Sequence, residues 1–243
     1  MTFFNWPQML FHITEMEQQG LVTSTFRRLN SERQLAVITA IFDEAVEKGP
    51  TSLNIKQVAK RAGVSVGSLY TYFNNRDGLL MFATELCVRF MNDMFNVGRP
   101  FLTAVPFAEG LASYVTTGIE WSRAQTGLLQ FFARAAYHSD SELSDQVVRP
   151  IADNLRAIVQ DMIRNAINRG EVRPDIDVEA TARLVYALTV AVGDSQILPY
   201  LNAYFQVTST EVTRERIVKA LVNLIMNGIG TQPNQESSSD LTR

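Results

Sequence analysis

The chain is poor in cysteine, histidine and charge. Of its 243 residues one is cysteine, Cys87, and two are histidine, His12 and His138. A single thiol excludes an internal disulfide and suits a reducing compartment, so the cytoplasm is the expected location. Neither histidine has another histidine or a cysteine three or four residues away, the spacing of zinc sites, and no metal or cofactor is expected. No apolar run reaches the roughly 18 residues of a membrane span. The N-terminus, MTFFNWPQMLFHITEMEQQG, lacks the basic segment of a signal peptide, so no membrane partner is expected. Strict alternation of apolar and polar residues is missing as well, which argues against strands, and no internal repeat is visible. Charged residues make up only 19% of the chain against 46% apolar, with formal net charge -3.

What is present is helix after helix. SERQLAVITAIFDEAVEKG carries Leu35, Ile38, Ile41, Phe42 and Ala45 at the helical period and opens on Ser31 with Gln34 three residues on, a capping-box spacing. NIKQVAKRAG starts on a second cap-like pair, Asn54 and Gln57, and SVGSLYTYF starts on Ser65. A longer helix begins at Arg76 and should close near Gly98 and Pro100. Further helices are expected over 106–124, 127–138, 143–169, 177–204 and 210–229, and the polar tail from Thr231 to Arg243 reads as disordered. Charge divides the chain unevenly. Residues 27–80 hold eight Lys/Arg and five Asp/Glu, net +3, which leaves -6 for the rest.

VAKRAGVSVGSLYTYFNNRDGLL, Val58 to Leu80, reads as helix, turn, helix. Val58, Ala59 and Ala62 form the inward face of the first helix. Gly63 permits a left-handed turn, Val64 plugs it, and Ser65 caps the next helix. Leu69 and Phe73 give that helix its buried edge. Val66, Gly67, Ser68, Thr71 and Tyr72 then form the other face, small at its start and rich in hydroxyls, which suits the major groove of DNA. Lys56, Lys60, Arg61 and Arg76 flank it.

From Asn30 to about Leu80 the sequence resembles the DNA-binding domain of TetR-family transcriptional regulators. The resemblance is carried by the apolar helix ending in Gly49, then VAKRAGVS, Gly67, LYTYF and NNRDGLL. It covers about the first third of the chain. It implies an all-α fold, with an N-terminal three-helix helix-turn-helix DNA-binding domain and a larger C-terminal helical domain for ligand binding and dimerisation. The organisation expected is an extension over 1–29, the DNA-binding domain over 30–76, the helical domain over 77–230 and the tail over 231–243. It further implies a contact residue at Lys56, phosphate contacts from Tyr70 and Arg76, a double-stranded DNA operator, a homodimer and a small-molecule effector. The extension departs from the family pattern. Phe26-Arg27-Arg28 reads as a basic arm for the minor groove. Met9, Leu10, Ile13 and Met16, at helical spacing, read as an extra helix packed on the body or on a partner subunit.

Gly63, Ser65 and Gly67 also match the G-x-S-x-G nucleophile elbow of serine hydrolases, with His138 as the base. That elbow needs a strand before it, and NIKQVAKRA is polar at helical spacing, so no enzyme is expected. A helical interaction protein without DNA binding is the remaining alternative, and it leaves the helix-turn-helix pattern unexplained. In the helical body, aromatic and sulfur side chains suggest an apolar or aromatic ligand bound by Phe90, Met94, Trp121 and Phe131, with His138, Asn154 and Asp194 as polar anchors. Dimerisation is expected through Val185, Leu188 and Val192 on one helix and Ile217, Leu221, Leu224 and Ile225 on the last.

Overall fold

A computed structural model describes residues 6–49, 51–124, 126–137 and 141–231. Among these there is no strand, only an isolated antiparallel bridge between Val172 and Gly230. No helix among them is long and apolar enough to cross a membrane. The polar tail beyond Thr231 lies outside the described residues. The chain divides into two compact units. The first runs through Val97 and adds Ile119–Asn154 and Gln196–Pro199. The second holds Gly98–Gly118, Leu155–Ser195 and the segment from Tyr200 onward.

The first unit opens with α1 (Trp6–Gln18), the extra helix that the apolar spacing suggests. Its Met9, Ile13 and Met16 are wholly buried. A short α2 (Ser24–Arg27) leads into α3 (Ser31–Lys48). The cap of α3 is Asn30, whose side chain accepts from the Arg33 amide at 2.9 Å. The capping box expected of Ser31 and Gln34 does not form. Gln34 is buried, and its amide donates to the carbonyls of Phe26 and Arg27 at 3.1 and 3.0 Å. A buried amide takes the partners that desolvation would otherwise leave it without.

The helix-turn-helix follows as α4 (Ile55–Ala62) and α5 (Val66–Phe73), and α6 runs from Arg76 to Ala104. Phe26, Phe73 and Phe82 pack with ring centroids 4.9–5.4 Å apart, and all three are wholly buried. A second contact, Phe42 edge-on to Phe131 at 5.5 Å, joins α3 to α8 (Thr126–Ala136). Then come α9 (Ser141–Leu143), a π-helical turn over Ser144–Val148, and α10 (Arg149–Asn168). The single helix expected over 143–169 is therefore interrupted. Pro150 has no amide to donate back, and the turn ahead of it widens.

The second unit takes the end of α6, most of α7 (Phe107–Ala124), the rest of α10, α11 (Val178–Ile197), α12 (Pro199–Phe205) and α13 (Arg214–Ile229). Here α6 does not close at Gly98 and Pro100. Arg99 forks onto Asp161 of α10, and Arg169, just after α10, donates to the carbonyls of Thr103 and Val105 at 3.0 and 2.8 Å, so the last turn is held on both sides of the proline. The helix expected over 177–204 breaks at Leu198, because a residue before proline avoids the helical region. Glu171 accepts from the Phe107 amide at 2.6 Å and from Arg169 at 2.6 Å, which satisfies the first turn of α7. Arg169 is the main cause that holds the Glu171 carboxyl below the usual carboxylate range.

The junction of α5 and α6 has no slack. Asn74 closes α5 at φ 63, and the Asn75 side chain accepts from the Gly78 amide at 2.7 Å. A Cβ on Gly78 would sit 2.1 Å from the Phe73 carbonyl oxygen. Gly78→Ala is expected to lower stability by about 1–3 kcal/mol through that overpacking, read as a fall in Tm. An unchanged Tm would show that the junction yields.

Candidate nucleic-acid interface

Each bend of the helix-turn-helix has a local cause. Asn54 caps α4 by accepting from the Lys56 amide at 3.0 Å. Gly63 ends it at φ 65, ψ 31, in the left-handed region where a side chain would be strained. Ser65 caps α5: its Oγ accepts from the Ser68 amide at 3.0 Å and lies 2.8 Å from the Ser68 hydroxyl. The Ser65 hydroxyl is thus a cap, and what precedes it is helix rather than strand, so the hydrolase elbow is not built here.

On α5 the exposed residues are Gly67, Tyr70 and Thr71, with Val66 and Ser68 half-buried beside them. Thr71 Oγ1 donates back to the Gly67 carbonyl at 3.0 Å. Tyr72 is the correction on this face. It is 8% exposed, with its ring centroid 5.6 Å from that of Phe26, so it packs inward with Leu69 and Phe73. On a two-turn helix, adjacent positions 71 and 72 point about 100° apart, and only Tyr70 and Thr71 are left outward at this end.

The basic residues separate into free and committed. Lys56 and Lys60 are exposed and form no ion pair among the described residues. Arg61 turns back onto α3, pairing with Glu47 and with the buried Glu44 at 3.2 Å. Lys48 and Arg61 together hold the Glu47 carboxyl below its usual range. Arg76 donates to the Leu53 carbonyl at 3.0 Å and to that of Thr51, tying the start of α6 to the loop before α4. Arg27 pairs with Glu17 of α1, and Arg28 folds onto Ser24 at 2.9 Å. The free basic arm expected of Phe26-Arg27-Arg28 is instead the end of α2, with Phe26 in the core.

The ligand candidates fall in both units. Phe90 and Phe131 are buried in the first, Met94 is half-buried, and Asn154 donates to Asn92 at 2.9 Å. His138 and the side chain of Trp121 lie outside the described residues. Asp194 belongs to the second unit, half-buried and near Tyr114. Tyr114 is not among the residues the sequence singles out. Burial, then the neighbouring Tyr186, raise its phenol far above the usual range, while a hydrogen bond with Thr189 works the other way.

The dimer stripe is corrected in four places. Val185, Val192, Leu221 and Ile225 are at most 8% exposed within the single chain, so they are its own core. Ile217 is half-buried. The outward apolar residues are Leu184 at 67%, Leu188 at 42% and Leu224 at 64%. A stripe wide enough to serve two faces reads the same in sequence whichever face is turned in.

The comparisons with known proteins agree with this geometry. Residues 37–81 match the family described as bacterial regulatory proteins, tetR family. Residues 108–191 match the tetracyclin repressor-like C-terminal domain, and the two matches together exceed half of the chain. A curated relative, the HTH-type transcriptional repressor KstR2 of Rhodococcus jostii, is 19% identical over 189 residues, 77% of this chain and 86% of that protein. The transcriptional regulator FadR of Bacillus subtilis, solved with stearoyl-CoA, superposes with a TM-score of 0.60 at 19% identity. The match covers 80% of this chain and 98% of that one. The SmeT–triclosan complex superposes at 0.64 and 15% identity, covering 84% and 93%.

Free and committed cations should behave differently. Lys56→Ala is expected to leave Tm unchanged and to reduce the salt slope of DNA binding by about one unit, the loss of one phosphate contact. Arg76→Ala is expected to lower stability by about 1–2 kcal/mol, because two loop carbonyls lose their donor. Salt-titrated fluorescence anisotropy and thermal melts on both variants check this. The assignment is wrong if the two phenotypes are exchanged.

Proposed function

Because the chain belongs to the tetR family of bacterial regulatory proteins and is a ligand-responsive, DNA-binding transcriptional regulator, we propose that it works as a homodimeric cytoplasmic repressor, released from a palindromic operator by a small apolar or aromatic effector. The observation that carries the proposal is the outward face of α5. Gly67, Tyr70 and Thr71 are exposed with Ser68 half-buried among them, and Lys56 and Lys60 of α4 are exposed with no ion pair among the described residues. A small N-terminal half admits the helix into the major groove, and hydroxyls and lysines engage base edges and phosphates. The sign of regulation rests on the similar KstR2, named a repressor. The effector class rests on the similar SmeT and FadR, solved with triclosan and stearoyl-CoA, both carrying large apolar parts.

A two-fold dimer places its two reading helices about one turn of DNA apart, roughly 34 Å. An effector that favours another spacing lowers operator affinity, and only by its difference in affinity for the two states. The coupling is expected at about 1–3 kcal/mol. Operator duplex selected from a random library, and a hit from a thermal-shift screen of small aromatics and acyl-CoA esters, allow the decisive titration. Calorimetry of the hit with and without operator should give affinities that differ by that coupling. Equal affinities would leave a bound molecule that is no effector.

The dimer surface is proposed on the outward face of α11 and α13. Leu184, Leu188 and Leu224 expose apolar area that a second copy would cover, and the exposed Ala187 and Ala220 permit close helix approach. The double substitution Leu184→Glu, Leu224→Glu is expected to give a folded monomer, with helical circular dichroism retained and sedimentation at half the mass. A variant that still sediments as a dimer moves the interface elsewhere.

A further inference from the structure

We propose that Thr23 is a positioning residue for operator reading, the tip of a strap formed by residues 6–29 that clamps the C-terminal end of α5 and moors it to α6. The inference rests on the DNA-binding reading above. The last carbonyls of any helix have no partner within it. In α5 two of them, those of Thr71 and Tyr72, are taken by one residue. Thr23 Oγ1 donates to the Thr71 carbonyl at 2.8 Å, and the Thr23 amide donates to the Tyr72 carbonyl at 3.0 Å. Thr71 is an outward residue of the reading face, so the Thr23 hydroxyl fixes the backbone from which a reading side chain projects.

Thr23 is itself held from both sides. Val22 is 2% exposed and Phe26 is wholly buried among Tyr72, Phe73 and Phe82. Gln34 of α3 bonds the carbonyls of Phe26 and Arg27. Upstream, α1 is fastened along α6. Gln8 and His12 meet the same oxygen of Asp93 at 2.6 and 2.5 Å, and Arg89 donates to Glu15 and to Gln19, both at 2.8 Å. The strap therefore bonds the reading helix at one end and the following helix at the other. The α5–α6 loop is a second, separate link between the same two elements. With Ser65 capping its start and Thr23 gripping its end, α5 is constrained at both termini.

Three variants test the clamp. Thr23→Val keeps the shape and the backbone bond and removes the hydroxyl. Thr23→Ala removes the hydroxyl with less strain, should the valine fail to fold. Thr23→Ser restores the donor. The first readout is the ratio of affinity for a duplex selected by the wild-type protein to that for a scrambled duplex of equal composition. Loss of one neutral hydrogen bond predicts a ratio lowered about fivefold in Thr23→Val and Thr23→Ala, with the wild-type ratio in Thr23→Ser and the same salt slope in all four proteins. The second readout needs no DNA: amide exchange over residues 70–73 should quicken by about the same factor in the two hydroxyl-free variants only. A wild-type ratio in Thr23→Val and Thr23→Ala overturns the inference and leaves DNA binding intact. Unchanged exchange also overturns it. A wild-type protein without duplex preference sinks the DNA-binding reading and this inference with it, while the exchange result still shows whether the clamp exists.

Discussion

An eight-residue helix cannot hold its own shape in water, since isolated helices shorter than about 12–15 residues are marginal. The reading helix α5 has that length, and everything attributed to this protein requires it to stay folded and aimed. Its inner edge supplies the means. Leu69 and Phe73 are wholly buried, and Phe73 packs, tilted, against both Phe26 and Phe82, which also touch each other. Aromatic pairs of this kind contribute about 0.5–1.5 kcal/mol each beyond their area, and the Ser65 cap about 1 kcal/mol more. These interactions offset part of the cost of nucleating a short helix, and the burial of Leu69 and Phe73 adds to them. One of the rings, Phe26, comes from ahead of the three-helix domain. The extension is thus structurally part of the reading head, although its sequence departs from the family pattern.

The electrostatics follow a related rule. A count of charges over 27–80 gives net +3, yet Arg27, Arg61 and Arg76 spend their guanidinium groups on Glu17, on Glu44 and Glu47, and on two loop carbonyls. Lys56 and Lys60 stay in solvent. The division has a chemical reason. Guanidinium is planar, weakly hydrated and offers several fixed donors, so it suits partly buried carboxylates and carbonyls. Ammonium is a compact, strongly hydrated point charge that stays in water until a phosphate displaces that water. Fewer mobile cations are therefore left to engage phosphates than the count suggests: the charge remains, but the guanidinium donors of Arg27, Arg61 and Arg76 are already used within the chain.

What the sequence revealed and what it hid divide by range of interaction. Asn54 with Lys56, Ser65 with Ser68 and the left-handed Gly63 act within a few residues, and each was legible as a cap or a turn. Contacts across longer separations were not. Thr23 reaches residues 48 and 49 positions away, and Arg76 reaches back 25 and 23. The same cause misled the reading of Ser31 and Gln34, where a local capping box lost to distant carbonyls that a buried amide required. Tyr72 was misplaced because a two-turn helix with apolar residues at 69, 70, 72 and 73 has no unambiguous inner face until Phe26 is known to lie beside it. The stripes of α11 and α13 were ambiguous in the same way, being apolar on more than one side: Val185, Val192, Leu221 and Ile225 turn inward while Leu188 and Leu224 stay outward.

These constraints also bound how a ligand can act. An effector changes DNA affinity only by moving or loosening α5 differently in its two states. Within the first unit α5 has three attachments: the turn at Gly63, the junction at Gly78 and the strap at Thr23. The turn is set by Gly63 and by Val64, whose amide bonds the Ala59 carbonyl, so it travels with α4 as one piece. The junction is close-packed, with no room for a methyl group at Gly78, so a displacement of α6 is passed to Phe73 without slack. The strap bonds α6 through Asp93 and Arg89, remote from that junction. A rigid shift of α6 therefore carries both attachments together and re-aims α5 as a body. A bend in α6 between Gly78 and Arg89 would instead pull the two apart and strain the end of α5. In the dimer proposed above, the first would change the spacing of the two reading helices and leave the packing around α5 as it is. The second would disturb the reader itself, and the mutual contacts of Phe26, Phe73 and Phe82 oppose it, so the release proposed above is better served by rigid re-aiming.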